Sequence, residues 1–291
     1  MNFPSDNVKE TMILHHKTAT IAQFVFSVLY IEGEGLDSLS LTTEVTNRCY
    51  LESKGKQSTP QIAGLPSLDP TTNTLLLTED DFFDDGSVKM RAMLNMLTAT
   101  KIILARSERS LPVIDIDLIK TLHSALFDDT EDWFYAGKYR KHSAFTITKN
   151  EDKHFYLSYS KIPTELNKLV NQTNEMLNAI FNNGEGNQER VVSLLKLGGA
   201  FFMRFEDIHP FHDGNGRVGR LLLAYILSSL TPFHLNSFYM DGQQFPTFVD
   251  RSTYLNCWEQ SNTTRVPSDI TSSLIIEGIY VAWQKYFFEL D

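Results

Sequence analysis

HPFHDGNGRVGR, from His209 to Arg220, is the stretch on which the reading of this 291-residue chain turns. Twelve residues carry two histidines, one acid, two glycines around an asparagine, and two arginines. A strongly apolar helical pattern precedes it over about 189–205, and an apolar helix follows over about 217–230. That inventory suits a site that holds a metal-bound polyphosphate beside an activated nucleophile.

Gly214-Asn215-Gly216 stands directly before the second apolar helix. Small residues let the backbone turn tightly and present N–H groups outward. The helix N-terminus adds partial positive charge, so the two together form an anion nest. Taken alone the tripeptide is weak, because glycines before helices are common turns. Arg217 and Arg220 lie at i and i+3 on one helical face. Two guanidinium forks aimed at one place suit a di- or triphosphate, whereas isolated arginines usually form a solvated face. Asp213 precedes the nest, and one carboxylate plus substrate phosphates is the usual way Mg²⁺ is held. Its plainer role is an acid favoured by the helix dipole. His209 and His212 are both candidate bases near neutral pH, and spacing alone does not choose between them. Either could be an ordinary hydrogen-bonded loop histidine. Phe211 reads as a core anchor. No cysteine or third histidine follows at ligand spacing, which argues against zinc.

Outward from the motif the pattern is mostly helical. Apolar positions at three and four spacing mark 8–31 as an amphipathic helix or two, ended by Gly33 and Gly35. Shorter patterns cover 38–52, 88–107, 114–126 and 163–182, and two more cover 248–262 and 268–289. The Pro-, Gly-, Ser- and Thr-rich stretch 55–74 reads as a surface loop. Between Gly137 and Tyr159, Phe145, Ile147, Phe155, Leu157 and Tyr159 alternate around a polar turn at 149–153, a hairpin signal in a helical chain. The expected fold is all-α with one β-hairpin.

Lys and Arg number 26 against 36 Asp and Glu, a net charge of −10, which argues against a general DNA or RNA binder. Hydrophobic content of 42% with 21% charged residues is that of an ordinary globular protein. The acidic run 79–85 reads as a solvated surface. Cys49 and Cys257 make no disulfide framework and read as small packed hydrophobes in a reducing compartment. No signal peptide is read in the first residues, and no apolar run approaches the roughly 20 residues of a membrane span. The expected compartment is the cytoplasm, with no membrane partner.

HPFHDGNGRVGR resembles the Fic-family motif H-x-F-x-(D/E)-G-N-G-R-x-x-R at every specified position. Ala136-Gly137-Lys138-Tyr139-Arg140 before the hairpin is similar to the approach to that family's flap, and the resemblance covers about 118–262. It implies the mainly helical Fic fold and transfer of AMP from ATP, with Mg²⁺, to a Tyr, Thr or Ser hydroxyl of a target protein. Carried over, His209 would be the base and Asp213 the metal carboxylate. Gly214, Asn215 and Gly216 would form the anion hole, and Arg217 and Arg220 would grip the β- and γ-phosphates. The hairpin, about 142–159, would dock the target by strand pairing. Tyr254 and Asn262 fall where relatives carry a Tyr and an Asn around the nucleoside, a looser match; both could be helix-surface residues. Homo-oligomers are common among relatives.

Many Fic proteins carry an inhibitory helix, (S/T)-x-x-x-E-(G/N), whose glutamate pairs with the second motif arginine. Residues 30–36, around Glu32-Gly33, resemble the form found ahead of the core, with Val28 at the Ser/Thr position and Ser27 one residue early. Ser273 to Gly278, around Glu277, fits the short pattern in full. Glu32 is favoured, because a glycine pair directly after it ends a helix there. A carboxylate on Arg220 would compete with phosphate for one fork, and a coupling of about 1–3 kcal/mol changes binding about 5–150-fold.

The expected organisation is an N-terminal helical region with the inhibitory helix at 1–110, the Fic catalytic core at 111–265 and a C-terminal helix at 266–291. The expected function is an autoinhibited protein adenylyltransferase in signalling. The same motif could move another phosphate-containing group, or remove AMP by hydrolysis with Glu32 orienting water. A non-catalytic nucleotide-binding adaptor is the alternative from another class; the intact His209 and Asp213 count against it.

Overall fold

The computed structural model describes residues 6–36, 38–52, 67–68, 75–76, 85–108, 111–147, 153–182, 186–230, 273, 275–280 and 283–284. Tyr254, Asn262, Cys257, the helix expected at 248–262 and the acidic run up to Asp84 lie outside the described residues.

The described residues are mostly helical, as expected. One unbroken helix, α1 (Asp6–Glu32), replaces the helix or two read at 8–31, and α2 (Leu39–Glu52) packs on it. Then come α3 (Asp85–Ser107), α4 (Ile116–Leu126), α5 (Ile162–Asn182), α6 (Asn187–Ile208) and α7 (Asn215–Ile226). Two antiparallel ladders are present: β1 (Ser67–Leu68) with β2 (Leu75–Leu76), and β3 (Phe145–Ile147) with β4 (Lys153–Phe155). The second is the expected hairpin. In the first, β1 lies within the stretch 55–74 read as loop and β2 directly after it, and two residues per strand are too few to show alternation.

Local chemistry sets the helix ends. Asp115 caps α4 by accepting from the Leu118 N–H, so the helix starts at Ile116. Glu189 reaches back to the Gly186 N–H at 3.0 Å and opens α6. That helix runs one turn beyond the end expected at 205, because Glu206 turns inward and is only 8% exposed. α7 opens at Asn215 and gives way to a 3-10 turn at Ser228–Leu230.

α7 sits at the centre. Val218 and Leu221 to Leu227 are all buried, and the helix touches α1, α3, α4 and α6. A helix apolar on every side belongs inside a core. Burying each leucine contributes about 1.5–3 kcal/mol, so α7 cannot slide or roll without a large loss. Its N-terminus, where the motif lies, is therefore fixed. Phe201, Phe202 and Phe205 of α6 and Phe211 of the loop complete this core. Ile275 joins it from the helical residues 275–280. Cys49 is buried, as read from the sequence. Among the described residues, no helix is long and apolar enough to cross a membrane.

Candidate active site around the α6–α7 loop

α1 ends where its sequence says it must. Gly33 adopts φ 76°, the left-handed conformation that glycine takes without strain. Its N–H bonds to Tyr30 O at 3.1 Å, and the Glu34 N–H bonds to Leu29 O at 2.9 Å. Those two bonds are a Schellman ending. Gly35 (φ 82°) then lets the chain lie against Leu29, where a Cβ would stand 2.8 Å from the Leu29 side chain. The reversal carries Glu32 and Glu34 together to the N-terminus of α7.

There the carboxylates meet the two motif arginines. Arg220 Nη1 donates to Glu32 Oε1. Arg217 Nη1 donates to Glu34 Oε2 at 2.6 Å, and its Nη2 to Asp213 Oδ2 at 2.7 Å. The arginine side chains are 2% and 6% exposed, so little water screens them. Arg217 also lies over the Phe127 ring, 5.1 Å from its centroid. A Cβ on Gly216 would collide with Glu32 Oε1 and stand 2.9 Å from Arg220 Nη1. The Glu32 carboxylate thus occupies the space that a missing side chain opens at the helix N-terminus, an anion lodged in an anion nest. Burial pushes the Glu34 carboxyl upward, Arg217 pulls it down, and the nearby charges of Asp213 and Glu32 push it up again. Glu277, the alternative partner for Arg220, is exposed.

Val28, standing where a Ser or Thr was expected, is fully buried. Ser27 bonds its own helix at Phe24 O, 2.9 Å away. Apolar packing of Ile21, Phe24, Val25, Val28 and Leu29 therefore anchors this helix, and no hydroxyl at position 28 is needed.

Asn215 braces the loop. Its Oδ1 accepts the Phe211 N–H at 2.8 Å and its Nδ2 donates to Phe211 O at 3.0 Å. Gly214 holds φ 74°, and a Cβ there would stand 2.8 Å from Phe127. The two histidines have different surroundings. His212 is exposed and stacks on Tyr135 at 4.3 Å. His209 ends α6 in the left-handed region, φ 48° and ψ 63°, a costly conformation for a residue with a Cβ. Arg140 holds it there. Its backbone N–H bonds to Pro210 O at 2.9 Å and its Nε to His209 O at 2.6 Å. Its Nη groups reach the carbonyls of His142, Leu157 and Ile208. One buried guanidinium thus ties both ends of the hairpin to the motif loop.

The His209 ring lies flat against Tyr156, with centroids 3.8 Å apart and planes 8° from parallel. Burial lowers its pKa to about 4, helped by Arg140 and opposed by the Glu206 carbonyl, Asp213 and Glu32. The imidazole is therefore neutral near pH 7, the form that accepts a proton. Its Nδ1 is closed off from solvent, which leaves Nε2 as the nitrogen open to the site.

Sequence reasoning missed five residues of this site: Glu34, His123, Arg140, Tyr156 and Glu206. His123 is fully buried between Phe211 and Phe127, its ring 3.8 and 4.7 Å from theirs. It accepts the Gly137 N–H at Nδ1, 2.9 Å away, so its Nε2 carries the proton and donates to Asp213 O at 3.0 Å. Burial lowers its pKa to about 4 and keeps it neutral. Glu206 is pushed up to about 8 by burial, against the pull of Arg220. A cavity of about 370 Å³ opens beside the motif, lined by Asp213, Arg217, Glu34, Phe127, Leu126 and Arg91 among others.

The hairpin faces inward with its polar side. Thr146 and His154 are half-buried, whereas Phe145, Ile147 and Phe155 are exposed. Phe145 and Phe155 are cross-strand partners.

Residues 113–227 match a family model described as the Fic/DOC family. A 39-residue segment is 54% identical to a probable protein adenylyltransferase of Aquifex aeolicus, covering 13% of this chain and only 12% of that protein. Three solved structures share the fold. A Fic domain-containing signaling protein of Bacteroides thetaiotaomicron is 17% identical, with 97% of this chain and 88% of that one covered and a TM-score of 0.60. A Fic family protein of Desulfovibrio desulfuricans is 17% identical, with coverage of 94% and 67% and a TM-score of 0.57. Fic-1 of C. elegans is 18% identical, with coverage of 99% and 66% and a TM-score of 0.55. The match to the Fic/DOC family thus covers residues 113–227, the stretch that holds α4 to α7, the hairpin and the motif loop.

Proposed function

We propose that this protein is a Mg²⁺-dependent protein adenylyltransferase that moves AMP from ATP to a Tyr, Thr or Ser hydroxyl of a target protein, restrained by Glu32. One observation carries the reading: a carboxylate sits on Arg220 in the glycine nest, where the β- and γ-phosphates of ATP would compete with it. A site built for anions and filled by the protein's own anion is a site with a brake.

In this reading His209 Nε2 takes the proton from the target hydroxyl. The hydroxyl oxygen bonds to the α-phosphorus, the bond from that phosphorus to the bridging oxygen breaks, and pyrophosphate leaves with the electron pair. Backbone N–H groups at Gly214 to Gly216, with Arg217 and Arg220, hold the leaving charge. Among the described residues no group of three or more potential ligands could hold a metal alone. Asp213, with a side chain 59% exposed beside the cavity, fits an ion shared with substrate phosphates. A bound Mg²⁺ would neutralise phosphate charge there. Glu34 and Asp213 now share Arg217, so nucleotide entry also requires Glu34 to give way. The hairpin at 142–159 is the proposed dock for the target.

The test is incubation of the parent, Glu32→Gly and Glu32→Gly/His209→Ala proteins with labelled ATP, Mg²⁺ and cell lysate, followed by mass spectrometry. A gain of one AMP unit on a target, raised by Glu32→Gly and lost with His209→Ala, supports the reading. A gain of bare phosphate, or equal labelling by all three proteins, overturns it.

A further inference from the structure

We propose that Tyr156 is a positioning residue: its ring, stacked on His209, fixes the imidazole so that Nε2 faces the reacting hydroxyl. The inference rests on the reading of His209 as the base.

Among the described residues no carboxylate holds the His209 ring, and the Glu206 carbonyl that acts on it makes no well-formed hydrogen bond to the buried Nδ1. The backbone beneath it is fixed by Arg140, but a fixed backbone does not set the ring's rotation about the side-chain bonds. The flat contact with Tyr156, 3.8 Å and 8°, is the constraint that does. Tyr156 is itself held. Its N–H bonds to Ala144 O at 3.0 Å across the hairpin, its hydroxyl bonds to Thr146, and the Leu157 N–H bonds to Asp207 O at 3.3 Å. Burial, with Glu206 nearby, raises its pKa to about 12, so the stacked ring stays neutral wherever the imidazole titrates. The charged groups around the imidazole are Arg140 on the hairpin side, Asp213 on the loop and Glu32 on α1. Glu206 lies one turn back on α6. The hairpin therefore does more than receive a target: the residue directly after β4 orients the base, so displacement of the hairpin disarms the site.

The experiment compares Tyr156→Phe and Tyr156→Leu in a Glu32→Gly background. Phenylalanine keeps the stack and loses the hydroxyl bond to Thr146, whereas leucine keeps bulk and loses the stack. The expected result is near-parent kcat for Tyr156→Phe and a fall of about tenfold or more for Tyr156→Leu, because small misplacement of a reacting group is costly. KM for ATP should stay within about twofold, as a loss confined to the reacting geometry requires. Proton NMR of His209 supplies a readout independent of turnover. Its ring protons should be shifted upfield in the parent and Tyr156→Phe, and return toward ordinary values in Tyr156→Leu. Retained ring shifts in Tyr156→Leu, or equal kcat for both variants, overturn the proposal. If no variant turns over ATP, the adenylyltransferase reading fails while the NMR comparison still decides whether Tyr156 orients the ring.

Discussion

Arg220 and Glu32 are 188 positions apart in the chain and form one ion pair inside it, the arginine 2% and the glutamate 30% exposed. A cation that buried requires an anion. Either the protein supplies it or a ligand does, and the two exclude each other.

Glu32→Gly should therefore raise ATP-dependent labelling, and it should also lower the melting temperature when no nucleotide is present. Breaking a buried pair from one side costs about 3–5 kcal/mol, less here because Glu32 is partly solvated. ATP with Mg²⁺ should return much of the lost stability, since a ligand that binds only the folded state stabilises it by mass action. Glu277→Gly should change neither quantity, because Glu277 is exposed. Thermal melts with and without ATP check this, and a larger effect of Glu277→Gly would overturn the assignment.

Glu34→Gln should lower KM for ATP by a smaller factor than Glu32→Gly. Its pair with Arg217 is 36% exposed on the carboxylate side, and Arg217 keeps Asp213 as a second partner. Pairs of that kind are worth about 0.2–1 kcal/mol, or roughly one- to fivefold in binding. The double variant should be more active than either single one. Steady-state kinetics of the four proteins decides whether the second glutamate belongs to the proposed brake.

The helical architecture and the hairpin were legible because period and motif are local properties of a sequence. The residues around the motif were not. Arg140 was readable only as part of a family-like approach to the hairpin; that one guanidinium reaches carbonyls from 142 to 209 is a fact of folding. His123 and Tyr156 act through ring stacking, which leaves no spacing signal. Glu206 stands one residue past the helix end expected at 205, whereas it is buried inside that helix. Glu34 had a signal that went unused: Glu-Gly is repeated at once in Glu32-Gly33-Glu34-Gly35, and a Schellman turn brings both acids to the same end.

Stability should fall on both sides of neutrality, for different groups. His123 and His209 have folded pKa values near 4, below the ordinary 6.5. Between those values the unfolded chain binds protons that the folded one refuses, so stability is lost as pH falls from about 6.5 to about 4. Glu206 is raised to about 8 from an ordinary 4.5. There the folded chain holds a proton that the unfolded one releases, so its contribution is lost as pH rises through that window. Glu206→Gln should flatten the melting-temperature profile between about pH 6.5 and 8 and steepen its acid limb, because Glu206 opposes the two histidines from about pH 4.5 upward. A parallel downward shift of the whole profile would sink the assignment to Glu206.

Arg140→Lys should separate nucleotide binding from transfer. Lysine keeps the charge but not the fork, so it can serve only part of the set of carbonyls at His142, Leu157, Ile208 and His209. Each carbonyl left buried without a donor costs about 1–3 kcal/mol. Those carbonyls belong to the hairpin ends and the His209 turn, not to the nest at Gly214 to Arg220. In a Glu32→Gly background, ATP affinity by calorimetry should therefore stay close to that of the Arg140 protein. Target labelling should fall at least tenfold, by the logic that a misplaced reacting group costs far more than a weakened binding contact. Hydrogen exchange should speed up at Phe145–Ile147 and Lys153–Phe155 while α7 remains protected. If ATP affinity fell in step with labelling, Arg140 would be supporting the whole core, and the division between a nest that binds and a hairpin that aims the base would be wrong.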